Sequence, residues 1–89
     1  MKTYRMFSDA SHGWLEVPIT EVLASKAFIT TCSYVDKQRG RAYLEEDCDA
    51  PAFLKAAGLS APGMVRLVDV HQGDSSAIRN LPSYGGIWS

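Results

Sequence analysis

The tetrapeptide Lys37-Gln38-Arg39-Gly40 constrains the fold more than any other feature, because it is turn chemistry set between two stretches that each read as a strand. Before it, Thr30–Asp36 is rich in β-branched and aromatic residues. After it, Arg41–Glu46 places Ala42 and Leu44 on one side and Arg41, Tyr43 and Glu45 on the other. Closing the hairpin at this turn fixes its register: Asp36 faces Arg41, Tyr34 lies near Tyr43, and Cys32 faces Glu45. Cys48 then falls about three residues off register, roughly 10 Å along the strand and beyond easy disulfide reach, so two free thiols are expected.

The flanking segments supply the rest of a small sheet. Thr3–Phe7 suits a strand, Ser8–Gly13 is a turn, and Trp14–Val17 reads as a second strand stopped near Pro18. Thr20 is placed to cap a short helix reaching about Lys26, with Glu21 in its first turn and Val22, Leu23 and Ala27 on its apolar face. Asp49 is placed to cap a second helix running to about Ala57, with Phe53, Leu54 and Ala57 apolar, Gly58 at the stop and Leu59 packing back on Leu54. Pro62-Gly63 turns into a last strand, Met64–Val70, and Gln72–Ser76 opens an irregular tail. The order ββαββαβ predicts an α+β domain, a mostly antiparallel sheet of about five strands with both short helices on one face. The 89 residues allow one such domain. Its expected span is 1–82, with 83–89 as a Gly-rich tail.

Charge narrows the function. A formal net charge of −1 argues against direct nucleic-acid binding, which relies on Lys and Arg neutralising phosphates. The N-terminus has no apolar run of signal-peptide length and nothing later approaches the roughly 20 apolar residues of a membrane span, so a cytoplasmic chain without membrane contact is expected. The two Cys and two His have no zinc spacing, and no cofactor motif is present.

Glu45-Glu46-Asp47-Cys48-Asp49 holds four carboxylates in five residues. Charges this close need water, a helix N-terminus, a cation or a basic partner. Strand alternation sends Glu45 and Glu46 to opposite faces and Asp49 is explained as a cap, which weighs against a Mg²⁺ or Ca²⁺ cage. The cluster otherwise reads as a solvated acidic corner or as a mimic of phosphates for a basic protein, since Arg recognises both groups. Tyr34 and Tyr43 on the neighbouring hairpin, Arg79, and Trp88 near an apolar chain end complete the candidate binding set. Arg79 is expected either to pair with the acidic corner or to hold an anion. A rival reading is catalytic: His12 with Asp9 and Ser11 nearby has the residue types of a base and nucleophile, and Asp69 with His71 repeats an acid and an imidazole. A third makes Arg79, Arg66 and the histidines a trap for a small anion.

Three blocks, Ser8-Asp9-Ala10-Ser11-His12-Gly13-Trp14-Leu15-Glu16-Val17, Tyr43-Leu44-Glu45-Glu46-Asp47-Cys48-Asp49-Ala50 with Phe53, and Ser76-Ala77-Ile78-Arg79-Asn80 followed by Tyr84, together resemble a family of small phage- and plasmid-encoded proteins without an established activity. The chain departs from that pattern in a longer Tyr34–Gly40 hairpin and in the apolar end Gly85-Gly86-Ile87-Trp88. The resemblance implies a mobile-element context, and with it a non-enzymatic interaction module. The expected role is an inhibitor of a host defence or nucleic-acid enzyme, anti-CRISPR proteins being one example, acting in the bacterial cytoplasm on a host protein, with monomer and homodimer both left open. The alternatives are a small hydrolase or nuclease using His12 and the acidic cluster, and an anionic-ligand binder.

Overall fold

Alternation along the second strand explains how the sheet is covered. In Trp14-Leu15-Glu16-Val17 every side chain is buried, and a strand buried on both faces belongs at the centre of a sheet. The structure, a computed structural model, describes residues 1–84. Its elements are β1 (Lys2–Ser8), β2 (Gly13–Pro18), α1 (Ile19–Ser25), β3 (Tyr34–Asp36), β4 (Arg41–Glu45), α2 (Asp49–Ala56), β5 (Val65–His71) and a short 3-10 helix, Ala77–Asn80. The strand order is β3-β4-β2-β1-β5. All pairings are antiparallel except β1 with β5. The fold is the expected α+β arrangement.

Leu15 and Val17 join Tyr4, Val35, Ala42 and Leu44 on one face, covered by Val22 of α1 and by Ala50 and Phe53 of α2. Trp14, Phe7 and Tyr43 form a second core on the opposite face, closed by Ile78 of the 3-10 helix, with Leu81 packed against it. The segment expected to be an irregular tail therefore roofs half of the sheet. It also covers an edge: Ser83 bridges Tyr34, Val35 N–H donates to Pro82 C=O at 2.9 Å, and Tyr84 is buried in the first core. The domain thus extends through Tyr84, past the boundary expected at residue 82. Trp88 and Ile87 lie outside the described residues.

The second hairpin has the predicted register, Tyr34 opposite Tyr43 and Asp36 opposite Arg41. Gly40 closes the turn with φ +69° and donates to Lys37 C=O at 3.2 Å. The α2 stop also matches: Gly58 takes φ +74°, and Leu59 N–H reaches back to Leu54 C=O at 2.7 Å, the Schellman pattern.

Three local expectations are corrected. Strand β3 begins at Tyr34, because Thr30–Ser33 is drawn off the sheet line toward Asp49. Thr20 lies inside α1, whose cap position is Pro18 with no side-chain bond, since β2 runs straight into the helix. Asp49 is the first residue of α2 and caps nothing. Its side chain turns inward instead, 1% exposed, with Oδ2 accepting from Thr30 N–H (3.1 Å), Thr30 Oγ1 (2.9 Å) and Ser33 Oγ (2.5 Å). The same detour sets Thr30 between the backbone of Cys32 and the thiol of Cys48. Thr30 Oγ1 is 3.1 Å from Cys32 N and 3.9 Å from Cys48 Sγ, although both cysteines are free, as expected.

Candidate functional site

The β2–β4 ladder sets the buried Trp14 directly opposite Glu45, so an indole lies beside the first carboxylate of the acidic run. The chain turns after Glu45: Asp47 N–H donates to Glu45 Oε2 at 3.1 Å, and Glu46 N–H to Gly13 C=O at 3.0 Å. Around Trp14 stand Tyr34, with ring centroids 6.3 Å apart, and His12 at 6.2 Å, both edge-on. Arg79 lies over the indole at 5.2 Å. These groups, with Cys32 and Asp47, line an open groove of about 380 Å³.

Asp9 holds the groove's cation in place. Its Oδ1 accepts from the N–H groups of Ser11 and His12, each at 2.9 Å, an Asx turn that shapes the β1–β2 loop. Its Oδ2 accepts from Ser76 N–H at 3.0 Å, and Arg79 grips both oxygens at 2.7 and 3.0 Å. The Arg79 guanidinium, helped by the Ser76, His12 and Ser11 N–H groups against the cost of burial, holds the Asp9 carboxyl well below the usual carboxylate range.

Of the expected binding residues, Tyr34, Glu45, Asp47 and Arg79 meet at this groove, and His12 joins them. Glu46 sits outside it, against Gly13. A Cβ built on Gly13 would come within 2.6 Å of Glu46 Oε2. Because that oxygen ends an exposed, flexible side chain, Gly13→Ala should cost less than about 1 kcal/mol in chemical denaturation.

Tyr43 is corrected from a contact residue to a buried one. Its hydroxyl donates to Glu16 Oε2 at 2.9 Å, and Glu16 is held by Arg5 at 2.8 and 3.0 Å. Burial and then the Glu16 bond push the Tyr43 phenol up to about 12. A group raised in the folded state stabilises below its unfolded pKa, near 10, and that contribution disappears as pH rises from there to about 12. Tyr43→Phe should remove this part of the alkaline unfolding curve, read by circular dichroism, and lower neutral stability by roughly 1–2 kcal/mol.

Arg79 pairs with Asp9 rather than with the acidic corner, and among the described residues no ion pair engages Glu45, Glu46 or Asp47. The catalytic pairing is also rearranged. Asp9 is buried and saturated by backbone and Arg79, while His12 Nδ1 lies 2.7 Å from Ser11 C=O instead of a carboxylate. Arg66 is on β5 opposite Thr3 and does not line the groove. No protein-family model, curated protein or solved structure matches the chain.

Two features were missed from the sequence. Phe28, 82% exposed, precedes the Thr30 anchor by two residues, and nothing in its neighbours separates it from a core aromatic. Trp14 as the groove floor had a signal: it stands in a strand with no polar face except Glu16.

Proposed function

We propose that the chain is a non-enzymatic interaction module that inhibits a host defence or nucleic-acid enzyme of a bacterium carrying the mobile element, by receiving a basic side chain of that enzyme in the Trp14–Glu45 groove. The observation carrying this reading is the pairing of two carboxylates without an ion pair among the described residues, Glu45 and Asp47, with the ring of Tyr34 in one open groove. A guanidinium can take a carboxylate along its edge and an aromatic ring against its face, a combination that suits Arg better than an anion or an apolar ligand. Enzymes that grip phosphate backbones present such arginines, and carboxylates can occupy them in place of phosphate. The Arg79 charge at the groove wall is balanced by Asp9, which grips it through both oxygens, so it does not oppose an incoming cation. The resemblance to small phage and plasmid proteins supplies the host context.

Immobilised wild-type chain and its Glu45, Glu46 and Asp47 charge-reversed variant should be exposed to a bacterial host lysate, and retained proteins identified by mass spectrometry. A nucleic-acid-handling complex retained by wild type, with affinity lowered about a hundredfold or more in the folded variant, is the expected result. Equal retention by both sinks the assignment. Phe28→Ala provides an uncharged comparison: if the exposed ring lies within the contact, affinity should fall by tenfold or so.

A further inference from the structure

The two edges of the sheet are treated differently. Residues 82–84 cover β3, but among the described residues nothing pairs with the outer edge of β5. Bonds at its two ends, Lys2 N–H to Met64 C=O at 3.2 Å and Gln72 N–H to Ser8 C=O at 2.7 Å, together with the parallel register Lys2 to Val65 through Ser8 to His71, fix which groups face β1. The even-numbered residues of β5 bond inward. Val65, Leu67, Asp69 and His71 therefore turn every N–H and C=O outward. Along this edge Met64, Leu67 and Val68 are 40–45% exposed, and although Arg66 and Asp69 carry charge, the strand has no proline, bulge or lysine.

We infer that β5 is a self-association edge, pairing antiparallel with β5 of a second copy across a two-fold axis at Val68 to make one continuous ten-stranded sheet. Three observations select this occupant and register. A two-fold axis perpendicular to the sheet keeps side chains of paired residues on the same face, and it matches odd-numbered residues only with odd-numbered ones, so the outward groups of one copy meet those of the other. Centring at Val68, the middle of Val65–His71, uses all four outward residues on each strand: Leu67 pairs with the partner's Asp69, and Val65 with the partner's His71. Charge removes the neighbouring solutions. An axis at Asp69 would oppose two carboxylates, and one at Leu67 would leave His71 unmatched, whereas at Val68 neither Arg66 nor Asp69 faces a like charge directly.

Sedimentation equilibrium over a range of protein concentrations tests the pairing, with circular dichroism confirming that each variant folds. Wild type should show reversible dimerisation. Leu67→Pro removes an outward N–H without touching the β1 ladder and should be monomeric. Leu67→Glu places an anion opposite the partner's Asp69 twice across the axis, weakening dimerisation by about tenfold, while Leu67→Lys should keep or tighten it. Equal weakening by Glu and Lys overturns the Val68 register. A wild-type chain that stays monomeric at the highest concentration overturns self-pairing, whether or not it then binds a foreign extended peptide.

Discussion

Asp9→Ala should lower the melting temperature by roughly 15 °C or more, the largest loss expected from any single polar substitution. The change strips the acceptor from Ser11, His12 and Ser76 N–H groups and leaves Arg79 without its carboxylate above Trp14. Arg79→Ala should be milder, since Asp9 keeps its three backbone donors and the arginine is partly solvated. The pH dependence follows from the depressed carboxyl. A group lowered in the folded state stabilises fully above its unfolded pKa, near 4, and that stabilisation is lost as pH falls from there toward the native value. Thermal melts taken from neutral to acidic pH should show this loss in wild type and a flatter profile in Asp9→Asn. A wild-type profile no steeper than the variant's would remove Asp9 from its central place.

Asp49→Ala should cost about 2–4 kcal/mol and weaken partner binding at the same time. Oδ2 of Asp49 accepts a hydrogen bond from the Ser33 hydroxyl, and the oxygen of Ser33 in turn accepts from Glu45 N–H at 3.0 Å. The buried carboxylate thus steadies the backbone of the groove residue it never touches. Urea titration gives the stability loss, and affinity for the captured partner gives the second readout. Serine at position 33 should report the same relay: Ser33→Ala leaves Asp49 two donors from Thr30 but frees Glu45, so binding should suffer more than stability. Unchanged affinity in both variants would confine Asp49 to the fold.

What could be read in advance was whatever depends on neighbours in the chain. The Lys37–Gly40 turn and the Gly58 helix stop rest on local backbone chemistry, and both stand where the residues put them. The aspartates were misread because their partners are distant in sequence. Asp9 meets Arg79 across 70 positions, and Asp49 meets Thr30 across 19. A short polar residue before a helix looks like a cap until a loop with donors of its own arrives beside it. Tyr43 was misplaced for a related reason: alternation assigned it to the face away from the helices, which was correct, but that face carries its own roof from Ile78. The acidic corner was legible as charge, whereas the groove depends on His12 and Trp14, Tyr34, and Arg79 converging from three separate segments.

The parallel pairing of β1 with β5 also sets a timetable for synthesis. Ser8 and His71 are 63 positions apart, so at a typical translation rate the first strand emerges several seconds before its outer neighbour exists. During that interval the antiparallel β1-β2-β4-β3 set can assemble, while Tyr4 and Met6 flank a sheet margin still waiting for its cover. Crowded ribosomes on one message would bring such margins together. Slowing translation after residue 60 should then raise aggregation of nascent chains more than slowing it before residue 30.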